Sequence, residues 1–470
     1  MTVKFFVSCV LLILIQMNFY SLVAAEDADP ISDVIKVNEA QLKSRYWVDL
    51  FEQQRSKGQD VLIDKNSIDE FNQQVKISNV HVVDPLAMPS ELTKSQLIEF
   101  INSISSVPSS DRFYSDGHQL TEKEFNLYTD NANLSAVLKQ NVVRWGLVVN
   151  RAALRTFPTN DRVFNSGMDT DLDRFQETAV FPGESVAVLH ESKDKKWYLV
   201  QSYNYLAWVR QTEIAIGDKT TITHFMEQPN FLMVTGDKVF TNFVPNKPEV
   251  SEIQLDMGVK LPLINKQEYS TNLYEQNPFA SYIVQLPTRT SHGLLAFQPA
   301  MIAKSQDTHV GYLSFTKNNI IKQGFKFLGE RYGWGHDYNG RDCTGFVGEI
   351  YKTFGLLMPR NSGQQGKASY GKNINFTAES NKQDKLNAIK QLEIGDLVYI
   401  PGHVVMYLGN DNGEPYIIHD VKGLSYYTED KKYYQGTLNG VSVTPLLPLY
   451  LSETKSYVDK IYNIKKIRLN

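Results

Sequence analysis

The sequence predicts an α+β protein built from consecutive modules, and three observations carry that reading. Apolar residues recur at three- and four-residue spacing in the first part of the chain, short β-rich runs follow from about Val142, and helical and strand patterns alternate after about residue 306. At 470 residues, of which 42% are hydrophobic, 21% charged and 11% aromatic, the chain can bury several cores and has a folded rather than a disordered composition. The 48 Lys and Arg against 52 Asp and Glu leave a net charge of −4, without the basic excess of a nucleic-acid binder.

The N-terminus reads as an address. Lys4 precedes the apolar run Phe5 to Ile15, and Leu22-Val23-Ala24-Ala25 offers small residues before Glu26. The run is shorter than the ~20 residues a spanning helix needs. Residues 1–25 are therefore expected to be a cleaved signal peptide, and the mature chain to be exported, periplasmic or secreted, with no stable membrane insertion. Cleavage removes Cys9 and leaves Cys343 as the one cysteine. A lone thiol in an oxidising compartment has no disulfide partner in its own chain and asks for a reason.

Residues 26–140 read as a helical, loop-rich domain, with helices over Glu39 to Arg55 and Thr93 to Ile104 and a start signal at Thr93-Lys94-Ser95-Gln96. Residues 141–215 carry strand-like runs at Trp145–Asn150, Ser185–His190, Lys196–Gln201 and Tyr205–Val209, the pattern of a small barrel. Residues 216–305 repeat it with Phe231–Val234, Lys238–Phe240 and Leu294–Phe297, predicting a second barrel. Residues 306–470 form the last domain.

That domain carries the chemistry. A Gly-rich aromatic loop, Gly329 to Gly335, leads to Arg341-Asp342-Cys343-Thr344-Gly345, after which Phe346, Val347, Ile350, Tyr351 and Phe354 mark one face of a helix closed by Gly355. Cys343 is thus expected at a helix N-terminus, where backbone N–H groups and the macrodipole favour a thiolate. A thiolate nucleophile needs an imidazole oriented by a third polar group. Strands are expected at Gly395–Ile400, Gly402–Leu408 and Tyr416–His419, with a hairpin over Gly409 to Pro415. A hairpin symmetric about Asp411 sets His403 opposite His419 on one face, whereas a bulge shifts the register.

Taken in order, Tyr332-x-Trp334-Gly335, Asp342-Cys343-Thr344-Gly345, Leu357-x-Pro359-Arg360-Asn361-Ser362, Gly395-Asp396-Leu397, Gly402-His403-Val404-x-Met406-Tyr407-Leu408-Gly409 and Ile418-His419 resemble the NlpC family of papain-like cell-wall cysteine peptidases. Upstream, Asn150–Pro158, Asp173–Thr178 and Ala207-Trp208-Val209 resemble the first bacterial SH3 domain of the YkfC-like branch, and His309-Val310-Gly311-Tyr312 resembles its lead-in to the catalytic domain. The resemblance implies a papain-like domain preceded by two SH3-like barrels and a helical N-terminal domain. It implies a γ-D-glutamyl-L-diamino acid endopeptidase acting on peptidoglycan stem peptides, L-Ala-γ-D-Glu-diamino acid, that carry a free N-terminal L-Ala. Cys343 is then the nucleophile, His403 the general base and acid, and His419 the residue that orients His403. Asp342 holds the substrate ammonium, and Thr344, Ser362, Tyr332, Trp334 and Arg360 line the substrate pocket. Packing around the active-site loop is the other role open to Tyr332, Trp334 and Arg360. A tyrosine of the first SH3 domain should also contribute.

The pattern departs from the family where Thr344 replaces serine, where His336 replaces a second glycine, and at the stretches Asn410–Pro415 and Leu424–Gly440, which read as insertions. No metal or other cofactor is implied, and no phosphate-binding glycine loop is found. Two other readings are a catalytically inactive cell-wall binding protein and a papain-like amidase or acyltransferase.

Overall fold

The computed structural model describes residues 34–55, 58–269 and 271–469; the expected signal segment lies outside them. Helices form at Ser44–Arg55, Ile68–Ser78, Lys94–Ile104 and Glu122–Asn131. The start signal read at Thr93 is a capping box: the Thr93 hydroxyl takes the Gln96 N–H and the Gln96 side chain takes the Thr93 N–H. These helices bury their apolar faces against the modules that follow. Trp47, Phe71 and Val75 join the core of the C-terminal domain, whereas Leu92, Leu97 and Ile101 pack on Leu189, Trp197 and Trp208 of the first barrel region. The N-terminal segment therefore works as a strap across two modules.

The first barrel region is a seven-stranded antiparallel sheet in the spatial order 214–217, 144–148, 185–191, 197–201, 206–210, 152–155, 176–180. Its strands alternate Val, Leu and Ala inward around Val186, Val188, Val200 and Val209, all nearly inaccessible. From Lys219 a helix and several short ladders share one core that includes Leu232, Val239, Leu255, Val284 and Ile302. Thr308–Val310 pairs with Phe231–Val234, so the chain stays with this second β-rich region slightly past residue 305.

The C-terminal domain is a six-stranded antiparallel sheet, ordered 372–375, 463–466, 397–400, 403–411, 414–427, 433–445, with the helix Cys343–Lys352 on one face. Phe346, Val347, Ile350 and Tyr351 of that helix are fully buried in one cluster with Met406 and Ile418. The hairpin is tighter than symmetry about Asp411 implies. Asp411 pairs with Glu414, a bulge falls between Tyr407 and Gly409, and Tyr407 pairs with Ile417. Continued toward the histidines, this register sets His419 opposite Val405, two residues from His403. A shift of two preserves the face, because side chains alternate with a period of two. The last two strands run on as a long arm on which Tyr426 faces Tyr434 and Tyr427 faces Tyr433. It contains the stretch expected to be an insertion.

Trp47 anchors the strap. Its ring is 1% exposed, lies 5.2 Å from the Tyr416 ring and donates from Nε1 to the Gln41 carbonyl at 2.7 Å. The indole lies so close to Gly409 that a Cβ there would sit 3.2 Å from a ring carbon, which explains the glycine after the bulge. Trp47→Ala is expected to cost about 3–5 kcal/mol of stability, read as a lower midpoint in urea unfolding. An unchanged midpoint would show that the strap is not coupled to the sheet.

Candidate active site

Cys343 is the first residue of its helix and Asp342 is the N-cap. One carboxylate oxygen of Asp342 accepts the backbone N–H groups of Thr344 and Gly345 at 3.1 and 2.9 Å and the Thr344 hydroxyl at 2.8 Å; the other accepts the Gly335 N–H at 3.1 Å. Arg360 closes on the same carboxylate with both Nη atoms, at 3.1 and 2.7 Å. Burial alone would raise the Asp342 pKa, but the charge of Arg360 and the amide donors hold it well below the usual carboxylate range. Both oxygens are thus occupied from within the protein. Thr344 is engaged likewise, since Arg360 donates to its hydroxyl. Asp342, Thr344 and Arg360 are all buried, so the three form the frame of the site rather than its open wall.

Cys343 is 7% exposed, and the backbone N–H of Val404, the residue after His403, favours its thiolate. That contact brings the start of the helix against the start of the histidine strand. His403 Nε2 lies 2.9 Å from His419 Nδ1, and His419 Nε2 lies 3.0 Å from Thr444 Oγ1. Tyr457 meets the His403 ring edge-on at 6.3 Å. Cys343, His403, Tyr332 and Tyr457 line an open groove of about 330 Å³, together with Lys422, Ser425 and Gln435 of the long arm and Tyr450.

Burial decides the charge state here. It pushes the Cys343 thiol up to about 12, with the Asp342 charge adding to the rise, and pushes His403 down to about 4. His419 is driven well below its ordinary value by burial and by His403. The expected thiolate bias of the helix N-terminus is worth about 1 kcal/mol or less, under one pKa unit, so desolvation wins. The resting site holds a thiol beside a neutral imidazole.

The loop 333–340, just before Cys343, lies against the first barrel. Gly335, His336, Tyr338 and Asn339 all have positive φ, and the barrel holds them: Gln176 donates to the Gly335 carbonyl at 2.7 Å and Arg151 to those of His336 and Gly340 at 2.9 Å. Trp334 lies under the Arg174 guanidinium at 4.9 Å. Ser362 opens the short helix Ser362–Lys367 and is half-buried. Against Asn361 and Arg360 stands Tyr205 of the barrel, which donates to one oxygen of Glu177, while Thr156 donates to the other at 2.5 Å.

Sequence reasoning did not find Glu177, Thr444, Tyr457 or Asp420. Asp420, fully buried, has no hydrogen-bond partner for either oxygen among the described residues, and burial raises its pKa strongly. Its place directly after His419 was the one local signal; Glu177 and Thr444 come from distant strands and Tyr457 from the short helix Tyr457–Lys460. Among the described residues no group of His, Cys, Asp and Glu is arranged to hold a metal ion, and no helix is long and apolar enough to cross a membrane.

An N-capped cysteine helix set against a histidine pair on an antiparallel sheet is the arrangement of a papain-like cysteine hydrolase domain. Residues 329–443 match the NlpC/P60 family and residues 160–210 match the SH3 domain of SH3b1 type, so the chain carries both. It is similar to two proteins named gamma-D-glutamyl-L-lysine dipeptidyl-peptidase. The one from Bacillus cereus is 24% identical over 50% of this chain and 66% of its own length. The one from Bacillus subtilis is 37% identical over 42% of this chain and 60% of its own length. The matches thus span less than two thirds of these curated relatives. Among solved structures, an NlpC/P60 endopeptidase from Photobacterium damselae subsp. piscicida superposes with a TM-score of 0.69 at 19% identity, over 88% of this chain and 95% of that one, which shows a shared fold.

Two measurements follow. The rate of Cys343 alkylation by iodoacetamide should stay low through neutral pH and climb steadily above pH 8; a plateau reaching below pH 7 would reveal a pre-formed thiolate–imidazolium pair. Arg360→Met, which leaves the Asp342 carboxylate buried and unpaired, should cost about 3–5 kcal/mol of stability in denaturant unfolding. Arg360→Lys should recover little of it, because an ammonium cannot reproduce the planar fork.

Proposed function

We propose that this chain is an exported peptidoglycan hydrolase, a cysteine peptidase that cleaves the γ-D-glutamyl-L-diamino acid bond of stem peptides with a free N-terminal L-Ala. The observation that carries the reading is the line from Cys343 past Val404 to His403, His419 and Thr444. With His419 protonated on Nε2 and donating to Thr444, its Nδ1 accepts from His403 Nε2. His403 is then left with an unprotonated Nδ1, the atom a general base needs.

In the reaction, His403 takes the thiol proton as the sulfur attacks the γ-glutamyl carbonyl, and the imidazolium and thiolate appear together with substrate present. The backbone N–H of Cys343, at the helix start, stabilises the oxyanion. His403 returns its proton to the leaving amine of the diamino acid. A water then releases the L-Ala-D-Glu acyl group by the reverse sequence. No metal or organic cofactor enters these steps.

The free-amine requirement passes in this reading from Asp342 to Glu177. Asp342 already receives six protein contacts, whereas Glu177, half-buried on the edge strand of the barrel, accepts two, from Tyr205 and Thr156. Tyr205 is the SH3-domain tyrosine of the pocket, and Tyr332 and Trp334 form its aromatic rim. The apolar run at residues 5–15 and the cell-wall substrate together support a periplasmic or secreted location.

Mass spectrometry of L-Ala-γ-D-Glu-meso-diaminopimelate incubated with the mature protein should show L-Ala-D-Glu released from the free peptide, none from its N-acetylated form, and none with Cys343→Ala. Glu177→Gln should raise KM for the free peptide by about tenfold or more, the worth of a charge-assisted hydrogen bond, with kcat little changed. Cleavage of both peptides would remove the amine gate, and cleavage of neither would turn the reading toward a binding protein or another acyl-transfer enzyme.

A further inference from the structure

His336 stands where the family resemblance leads to a glycine, and the structure gives it more hydrogen bonds than a space-filling residue needs. Its ring is 4% exposed. Nε2 lies 2.8 Å from Glu349 Oε1, while Nδ1 faces Arg360 Nη2 at 3.2 Å and Thr178 Oγ1 at 3.3 Å. Arg360 Nε donates to the same Thr178 hydroxyl at 2.6 Å. The donors and acceptors allow one self-consistent arrangement. Arg360 has only N–H groups to give, so Nδ1 must be the acceptor, and Nε2 then carries the proton donated to Glu349.

The charged groups around the ring agree with a neutral imidazole. Glu349 comes from the cysteine helix, with its other oxygen held by Arg341; Arg360 comes from the turn before Asn361, and Asp342 from the helix cap. The first barrel contributes Thr178 and the Phe181 ring, edge-on at 5.5 Å. Burial lowers the His336 pKa further than Glu349 raises it. The ring also passes so near the cysteine helix that a Cβ on Gly345 would lie 2.7 Å from Nε2, so this arrangement accounts for the glycine two residues after the nucleophile.

We propose that His336 is a positioning residue for the peptidase reaction: as the Nε2-protonated tautomer it bridges Glu349 and Arg360, fixing the guanidinium that joins the Asp342 cap of the cysteine helix to Thr178 of the first barrel. The inference rests on the peptidase reading. With His336 in place all five N–H groups of Arg360 have acceptors, and the acyl-side pocket between barrel and helix keeps its shape. Without it, one N–H is orphaned and the barrel is free to shift against the cap. The effect falls on substrate binding more than on the chemical step, because His336 touches neither Cys343 nor His403.

Steady-state kinetics on L-Ala-γ-D-Glu-meso-diaminopimelate with wild type, His336→Leu and His336→Gln test this. Glutamine supplies one donor and one acceptor; leucine fills space only. His336→Leu should raise KM by about tenfold with kcat within about threefold, and His336→Gln should stay near wild type. Equal losses in both variants, or a loss confined to kcat, would overturn the assignment. Should His336→Leu fail to fold, Thr178→Val is expected to raise KM in its place, and an unchanged KM there would overturn the bridge. ¹⁵N NMR of histidine-labelled mature protein at neutral pH reads the tautomer without substrate: Nε2 protonated and Nδ1 bare is expected, and any other state sinks the proposal. If wild type cleaves nothing, the peptidase reading fails and this spectrum still decides the bridge.

Discussion

Much of the site depends on one buried ion pair, Asp342 with Arg360. Two desolvated charges are costly unless every remaining donor and acceptor is satisfied, and here they are. The carboxylate takes three backbone amides, a hydroxyl and the guanidinium, while the guanidinium reaches Asp342, Thr344, Thr178 and His336. The pair therefore does several jobs at once. It caps the cysteine helix, closes the strained loop on Gly335, and ties both to the first barrel.

That architecture has an electrostatic consequence for the nucleophile. A carboxylate at the cap stabilises the helix but disfavours a second negative charge beside it. Both shifts run in the direction of a thiol and a neutral imidazole at rest. A site of this kind favours a protonated thiol at rest, which is less open to oxidation than a standing thiolate.

The modules are interdependent for the same reason. The loop before Cys343 holds four residues in left-handed conformations, three of them not glycine, and it receives its hydrogen bonds from Gln176, Arg151 and Arg162 of the barrel. On the other side the N-terminal strap leans on both the barrel and the sheet through Leu97 and Trp47. The SH3 domain is thus a wall of the site as well as a neighbour.

The local signals in the sequence were strong enough to read the capping box at Thr93, the cysteine at a helix N-terminus and the strands around His403 and His419. Each rests on residues within a few positions of one another, where periodicity and capping chemistry act. The exact hairpin register escaped, since a bulge between Tyr407 and Gly409 cannot be seen in composition, yet the two histidines kept one face because the error was even. What only the tertiary structure decided are the properties set by distant chain. Arg360 occupies Asp342, burial overrides the helix dipole at Cys343, and Tyr205 of the barrel comes to stand against Asn361 and Arg360. Desolvation and the pairing of buried charges depend on everything that packs around a group, and no local stretch of sequence encodes that.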